Sequence, residues 1–446
     1  MKARFKQWTG RLSESFWLMP AAMVVGGVLL AMGLVAMDRM GAFPDWLATS
    51  SWFYNGGGDG ARVLLGAIAS STIGVAGTVF SITIAALSLA AGQMGPRLLR
   101  NFTRDRGNQF TLGAFLGTFS YALMVLRTVR TQEEGLFTPH LSLSVAVLLA
   151  FGCVATLVYF VGHMASRISV DTVVDLVSGD VTAAMHALVV ERRNIDPPED
   201  GFWNGAVTVL DARRGYLQQL DEESLAAWAA DQGTTLRLLV RRGDYLFPGA
   251  PIALMTVRVA GAEAAIRRNS ALGRSRGSSG DPEQTVRQLV EVAVRALSTG
   301  INDPHSAMSV LDRLGDALCD LAGKVIPNGV HAINGKIALV VPNVSYRSLC
   351  DVMFHLIRQN SEGNTALLIK LAEVLAVVAA CEPDHERRDA LAEHAARLSS
   401  DAKRTVGNPT DLGDIQSRLA YFTQVNNARQ KGNITAQVLL GSAADA

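Results

Sequence analysis

The sequence predicts a multi-pass α-helical membrane protein with four transmembrane helices and a cytoplasmic α+β region. Three observations support this fold class. Long, nearly uncharged apolar runs fill the first 165 of the 446 residues. Each run reaches or approaches the ~20 residues that a helix needs to cross a bilayer. After residue 165 the composition becomes that of a soluble protein, with short strand-like runs first and amphipathic helical patterns after them.

The transmembrane domain is predicted at 1–165, with spans at 16–37, 62–91, 110–126 and 141–161. The short loop after the second span carries Arg97, Arg100, Arg104 and Arg106. Four basic residues in a short loop indicate the cytoplasmic side of the membrane, and they are candidates for contact with anionic lipid headgroups. With an even number of spans, both termini are then cytoplasmic. We therefore expect a location in the bacterial inner membrane, with the lipid bilayer as the first partner.

The second span has an unusual face of small residues. Its members follow one another at steps of three or four, which places them on one side of a helix: Ser70, Gly74, Gly77, Ser81, Ala85 and Ser88. Small residues allow close approach of another helix. Alternatively, hydroxyl groups and accessible carbonyl groups line a water-filled path for ions in an oligomer. The spacing favours a functional role for this face and leaves both alternatives open.

A connecting helix and linker are predicted at 166–200, followed by a small β-module at 201–260. Within this module, the run from Val240 to Leu254 is similar to the glycine-containing run of lipoyl-like barrel-sandwich domains. Gly243 and Asp244 are predicted to make a tight turn there. No lysine occurs between Lys6 and Lys324, so we expect no modified swinging arm and no cofactor.

A mainly helical cytoplasmic domain is predicted at 261–446. The basic glycine- and serine-rich segment 260–280 is predicted as a mobile linker, with contact to a phosphate or lipid as the alternative. Asp281 and Asp303 each precede a proline, which is the pattern of a helix N-cap. Asp303 and His305 also allow an acid–base pair, although no nucleophile or metal partner is evident. Asn334 and Gly335 predict a β-hairpin turn.

Several usual signatures of catalysis are missing from the sequence. It contains neither a phosphate-binding P-loop nor a G-x-G-x-x-G run after a strand, and it has no H-E-x-x-H run. Its four cysteines lack metal-ligand spacing, and the net charge of +1 gives no general attraction to nucleic acid. We therefore predict a protein that is not an enzyme, with no catalytic residues, no metal site and no nucleic-acid partner.

Three runs of the chain resemble the bacterial family of predicted membrane proteins DUF2254. They are AIASSTIGVAGTVFSITIAALSLAAGQMGPRLLRNFTRDRGNQ, LGTFSYALMVLRTVR and RQLVEVAVRALSTGINDPHSAMSVLDRL, at 67–109, 116–130 and 287–314. Thr299 stands where the family pattern has proline. The resemblance implies an inner-membrane protein with a cytoplasmic domain, and it implies no particular activity or site residues.

The leading functional hypothesis is a homo-oligomeric inner-membrane channel whose cytoplasmic region forms a vestibule. It depends on the small-residue face of the second span and on the absence of mid-span charges, which active transporters are expected to carry. The alternative is a non-conducting membrane scaffold or sensor. In that case the cytoplasmic domain binds a protein or a small ligand, and the small-residue face serves assembly alone.

Overall fold

The computed structural model describes residues 16–40, 57–94, 105–129, 137–167, 170–190, 195–274, 276 and 281–430. The chain divides into two compact units, Met1–Thr172 and Val173–Ala446. In the first unit, four helices are long and apolar enough to cross a membrane, as the sequence predicted. They are α1 (Leu18–Met40), α2 (Gly58–Met94), α3 (Arg106–Leu126) and α4 (His140–Arg167).

Helix α3 packs against the other three helices of the first unit. Its contact with α1 is a close approach of two backbones at glycine residues. A Cβ atom added to Gly27 would lie 2.4 Å from the carbonyl oxygen of Gly117, and one added to Gly117 would lie 2.9 Å from the carbonyl oxygen of Met23. Because lipid gives no hydrophobic drive for helix association, such close van der Waals contact is a main source of stability between spans.

The second unit begins within α5 (Val170–Leu188), in which Val173, Val174, Val177 and Val181 are buried. Two sheets and two further helices follow. The strands and helices are β1 (Val207–Asp211), β2 (Gly215–Leu220), α6 (Glu222–Asp231), β3 (Leu236–Leu238), β4 (Tyr245–Leu246), β5 (Ala250–Met255), α7 (Ala262–Arg268) and β6 (Ser270–Gly273). Gly243 has a φ of 94°, in the left-handed region that the predicted tight turn requires.

A hairpin from further along the chain completes the larger sheet. Its strands are β7 (Val330–Ile333) and β8 (Lys336–Val340), and its turn has positive φ at both Asn334 (51°) and Gly335 (76°), as the sequence predicted. The five-stranded sheet has the order β1-β5-β3-β8-β7, and the three-stranded sheet has the order β4-β2-β6. Strands β3 and β8 are parallel, and the other pairs are antiparallel.

The prediction of a linker at 260–280 is wrong for the first half of this segment, which forms α7 and β6. Helix α7 buries Ala262, Ala265 and Ile266 in the core of the β-module, and β6 pairs along β2. The basic residues that suggested a linker lie at the end of α7, where Arg267 forms an ion pair with Glu263 on its outer face. Three apolar positions in a polar stretch were therefore enough to fix a short helix.

The remaining helices form the second half of this unit. They are α8 (Pro282–Ala296), α9 (Pro304–Leu321), α10 (Tyr346–Gln359), α11 (Thr365–Cys381), α12 (His385–Thr405) and α13 (Pro409–Gln430). Both predicted N-caps are present. Asp281 accepts from the backbone N–H of Gln284, and Asp303 accepts from the N–H and the hydroxyl of Ser306. Asp303 is therefore a helix N-cap, which is the first of the two roles that the sequence allowed for it.

Candidate functional site

The small-residue face of α2 is exposed along its whole described length. This applies to each member predicted from the sequence, namely Ser70, Gly74, Gly77, Ser81, Ala85 and Ser88. A Cβ atom added to Gly74 or Gly77 would meet nothing within 4 Å. Within the described part of the chain, no other span therefore packs on this face.

The opposite face of α2 makes the contacts with the rest of the first unit. Its buried positions are Ala61, Leu65, Ile68, Ala69, Thr72, Ala76, Val79 and Ala86. The helix is therefore two-sided. One side is packed inside the first unit, and the exposed side carries the glycines, serines and alanine of the stripe together with Ile73, Phe80, Ile82 and Ile84.

Helix α4 presents larger side chains on its exposed side. Leu148, Phe151, Val154, Val158 and Val161 are each 61–71% exposed. On α2 the small residues of the stripe lie beside the large apolar side chains of Ile73, Phe80, Ile82 and Ile84, which are 37–47% exposed. Lipid chains contact large apolar side chains well, whereas small polar residues within a bilayer usually face another helix or water. The exposed side of α2 is therefore mixed, whereas large apolar side chains dominate that of α4.

The hydroxyl groups near the stripe are partly satisfied by their own helix. Ser70 Oγ donates to the carbonyl oxygen of Ala67 at 3.2 Å, and Thr78 Oγ1 donates to the carbonyl oxygen of Gly74 at 3.2 Å. Each hydroxyl oxygen keeps acceptor capacity after such a bond. The stripe therefore offers hydroxyl oxygen atoms that can accept hydrogen bonds.

A carboxylate lies at each end of the helix bundle. At one end, Asp38 in the last turn of α1 accepts from the N–H groups of Leu141 and Ser142, at the start of α4. The prediction that the first span ends at residue 37 is therefore short by a turn, because α1 continues to Met40 and Asp38 anchors it to α4. Tyr121, fully buried in α3, donates its hydroxyl to the carbonyl oxygen of Ser142 at 2.8 Å.

At the other end, Asp105 is the N-cap of α3 and also contacts a histidine of α4. It accepts from the N–H of Gly107 at 2.7 Å, and its carboxylate oxygens lie 3.0 and 2.9 Å from His163 Nε2. The His163 ring stacks on Tyr159 with 5.3 Å between ring centroids. The sequence does not reveal this pairing, because 58 positions separate His163 from Asp105.

Of the four arginines predicted to contact lipid headgroups, the structure describes only Arg106. Arg97, Arg100 and Arg104 lie outside the described residues. Arg106 is the first residue of α3, and it is exposed beside the capping Asp105.

Comparison with known proteins gives a family and several relatives. The family model DUF2254, described as "Predicted membrane protein", matches residues 13–377. Uncharacterized proteins of Mycobacterium tuberculosis (strain CDC 1551 / Oshkosh) and Mycobacterium bovis (strain ATCC BAA-935 / AF2122/97) are each 29% identical over 431 residues. These alignments cover 93% of this chain and 81% of each relative. No solved structure matches the chain.

Proposed function

The chain belongs to the DUF2254 family of predicted membrane proteins, and on that premise we propose that it is a homo-oligomeric channel of the bacterial inner membrane. In this proposal the four helices span the membrane, both termini are cytoplasmic, and the protein is not an enzyme. Ions are the class of solute that it passes. The soluble unit, with its barrel-sandwich-like run at 240–254, forms the cytoplasmic vestibule.

The observation that carries the proposal is the exposed small-residue stripe of α2. A stripe buried inside the protomer would have served packing between the four spans of one chain. Among the described residues of the first unit no side chain covers this stripe, and the partner that we propose for it is a second copy of the chain, water, or both. Copies arranged around an axis place it toward that axis, where its hydroxyl and carbonyl oxygens meet ions.

A non-conducting scaffold or sensor is the second candidate, and the same stripe supports it. In that case the stripes of neighbouring protomers pack directly on one another, as small residues do between membrane helices. No continuous path for water is then left. The two candidates agree on the oligomer and differ on conductance.

The experiment compares a stripe variant with a matched variant elsewhere in the bundle. Gly77→Leu and Ser81→Leu place large side chains on the stripe, and Gly152→Leu places one on the exposed face of α4, where a Cβ atom also meets nothing within 4 Å. Purified protein is reconstituted in planar bilayers, and its oligomeric state is measured in parallel. The channel proposal expects conductance in the unaltered protein and in Gly152→Leu, with altered conductance in the stripe variants while the oligomer remains.

Other results decide against the channel. An oligomer without conductance under voltage, membrane tension and changes of ion composition favours the scaffold. Loss of the oligomer in Gly77→Leu, with Gly152→Leu unaffected, assigns the stripe to packing. A protein that is monomeric in membranes contradicts both candidates.

A further inference from the structure

Two histidines and an aspartate from two helices of the soluble unit converge on one point. Asp351 and His355 lie on α10, four residues apart, so both side chains extend from the same face of the helix. His394 lies on the neighbouring helix α12. This cluster belongs to the second unit.

The geometry of the cluster is close. His355 Nε2 lies 2.9 Å from Asp351 Oδ1, and His394 Nε2 lies 3.2 Å from the same oxygen. One potential ligand atom from each of the three side chains lies within 4.8 Å of the other two. Imidazole nitrogen and carboxylate oxygen are the ligand atoms of many Zn²⁺ sites, and three such ligands leave a fourth position for water or an added ligand.

The hydrogen bonds of the cluster cannot all be favourable at once. Arg397 NH1 lies 3.0 Å from His355 Nε2 and 3.3 Å from Asp351 Oδ1. If His355 Nε2 carries a proton, that proton suits Asp351 but faces the N–H of Arg397. If Nε2 carries none, its lone pair accepts from Arg397 but faces the carboxylate at 2.9 Å. A metal cation among the three ligand atoms removes this conflict, because both nitrogens then direct lone pairs at the cation.

The surroundings allow such an ion to enter. The side chains of Asp351 and His355 are 40% and 32% exposed, while His394 is 3% exposed and held in the core. Arg397, which is 41% exposed, lies 3.6 Å from Glu393 on its own helix. The guanidinium group therefore has an alternative anionic partner when it leaves the cluster.

We propose that Asp351, His355 and His394 form a binding site for a divalent transition-metal ion of the Zn²⁺ type, and that Arg397 turns toward Glu393 when the ion binds. Ions of this type bind well to imidazole. His394 provides the fixed ligand, and the two ligands on α10 close on the ion from the solvent side. Binding adds a further link between α10 and α12, which are already joined by the ion pairs Arg358–Asp401 and Arg347–Glu393.

The test uses the full-length protein in detergent, stripped with a chelator and then equilibrated with Zn²⁺. Bound zinc per chain is measured by elemental mass spectrometry, and the Kd is measured by calorimetry. We expect one zinc ion per chain. Asp351→Asn and His355→Gln each remove a ligand, and we expect each to weaken binding by at least about 10-fold, the lower end of what even indirect partners of a metal contribute.

A matched control lies on α12 itself. His385 and Asp389 form another pair four residues apart, with Nδ1 and Oδ2 3.1 Å apart. His385→Gln breaks this pair, and we expect unchanged zinc binding. Asp351→Asn and His355→Gln alter partly exposed side chains, so they avoid the folding defect that a change at the buried His394 could cause.

Arg397→Gln gives a readout that a purely structural cluster would not give. Removing the competing positive charge is expected to strengthen zinc binding, so the Kd falls. The proposal is overturned if the unaltered protein binds no zinc beyond the level of Asp351→Asn, or if His355→Gln binds zinc as tightly as His385→Gln. A weaker affinity in Arg397→Gln also contradicts it.

Discussion

Asp38 holds Ser142 by two hydrogen bonds across 104 positions of the chain, one from the backbone N–H at 3.0 Å and one from the hydroxyl at 2.6 Å. Its other oxygen accepts from the N–H of Leu141 at 3.1 Å. A side chain of α1 therefore caps the N-terminus of α4, in the way that an N-cap residue does from within its own chain segment. Because helix N-termini carry free N–H groups and a partial positive charge, a carboxylate is well suited to this position.

Asp38→Ala is expected to destabilise the first unit by about 1–2 kcal/mol, the usual contribution of an N-cap. Asp38→Asn should cost less, because an amide oxygen also accepts from these N–H groups. The measurement is the thermal unfolding midpoint of the detergent-solubilised protein. Asp59→Ala, at an exposed aspartate of α2, is the control. Equal midpoints for Asp38→Ala and Asp59→Ala would show that the cap contributes nothing.

Adjacent glycines of α1 should respond differently to the same change. Gly27→Ala places a Cβ atom 2.4 Å from a backbone oxygen of α3, whereas a Cβ atom at Gly26 meets nothing within 4 Å. We expect Gly27→Ala to cost about 1–3 kcal/mol through overpacking. Gly26→Ala should be neutral or slightly stabilising, because alanine favours helix over glycine. Thermal midpoints of the two variants test this, and a larger loss in Gly26→Ala would contradict the close approach.

The stripe of α2 should cross-link between copies of the chain if the proposed oligomer exists. Ser81→Cys places a thiol on the stripe, and Val158→Cys places one on the exposed face of α4. Both changes are made in a chain with the exposed Cys381 replaced by serine. After oxidation in membranes, we expect a disulfide-linked dimer in Ser81→Cys and mostly monomer in Val158→Cys. The reverse pattern would place α4 at the interface and exclude the proposed arrangement.

Glu283 should stabilise the second unit in a pH-dependent way. Its side chain is 1% exposed, and its Oε2 accepts from Arg241 NH2 at 2.7 Å. Burial raises the pKa of Glu283, but the hydrogen bond and charge of Arg241 outweigh this and leave the pKa below its ordinary value. The unfolded chain therefore binds more protons, so this stabilisation is present above about pH 4.3, the ordinary glutamate value, and is lost as the pH falls through the folded pKa.

Glu283→Gln is expected to cost about 2 kcal/mol at neutral pH, as for hydrogen bonds to charged groups. The difference from the unaltered protein should shrink as the pH falls below 4. Hydrogen exchange of the peptide covering α8 in the full chain measures this. Glu291→Gln, on the same helix, breaks a more exposed pair with Arg295 and is the control, with an expected effect of about 0.3 kcal/mol. Equal exchange in both variants would contradict the role of Glu283.

Local signals in the sequence were sufficient for most of the helices. The four spans follow from apolar length, and the caps at Asp281 and Asp303 follow from an aspartate before a proline. The hairpin turn follows from Asn334 and Gly335, because both positions need positive φ. Each of these features is decided by residues that are close together in the sequence.

Features that depend on distant residues could not be predicted in the same way. Nothing near Asp38 reveals that it caps α4, and nothing near His394 reveals Asp351 on another helix. The exposure of the α2 stripe is likewise a property of how the spans pack. The spacing placed its residues on one face, but only the structure tells which face of α2 the protomer covers.

The parallel pairing of β3 with β8 also constrains how the protein is made. Thr235 Oγ1 donates to the carbonyl oxygen of Ile337, across 102 positions of sequence. At the usual synthesis rate of about 5–20 residues per second, the ribosome needs on the order of 5–20 s to add that stretch. For that time β3 has a free edge, which is a site where strands of other chains can pair. The five-stranded sheet of the second unit is therefore completed only late in translation. Chains that stop before residue 336 keep the open edge of β3 permanently.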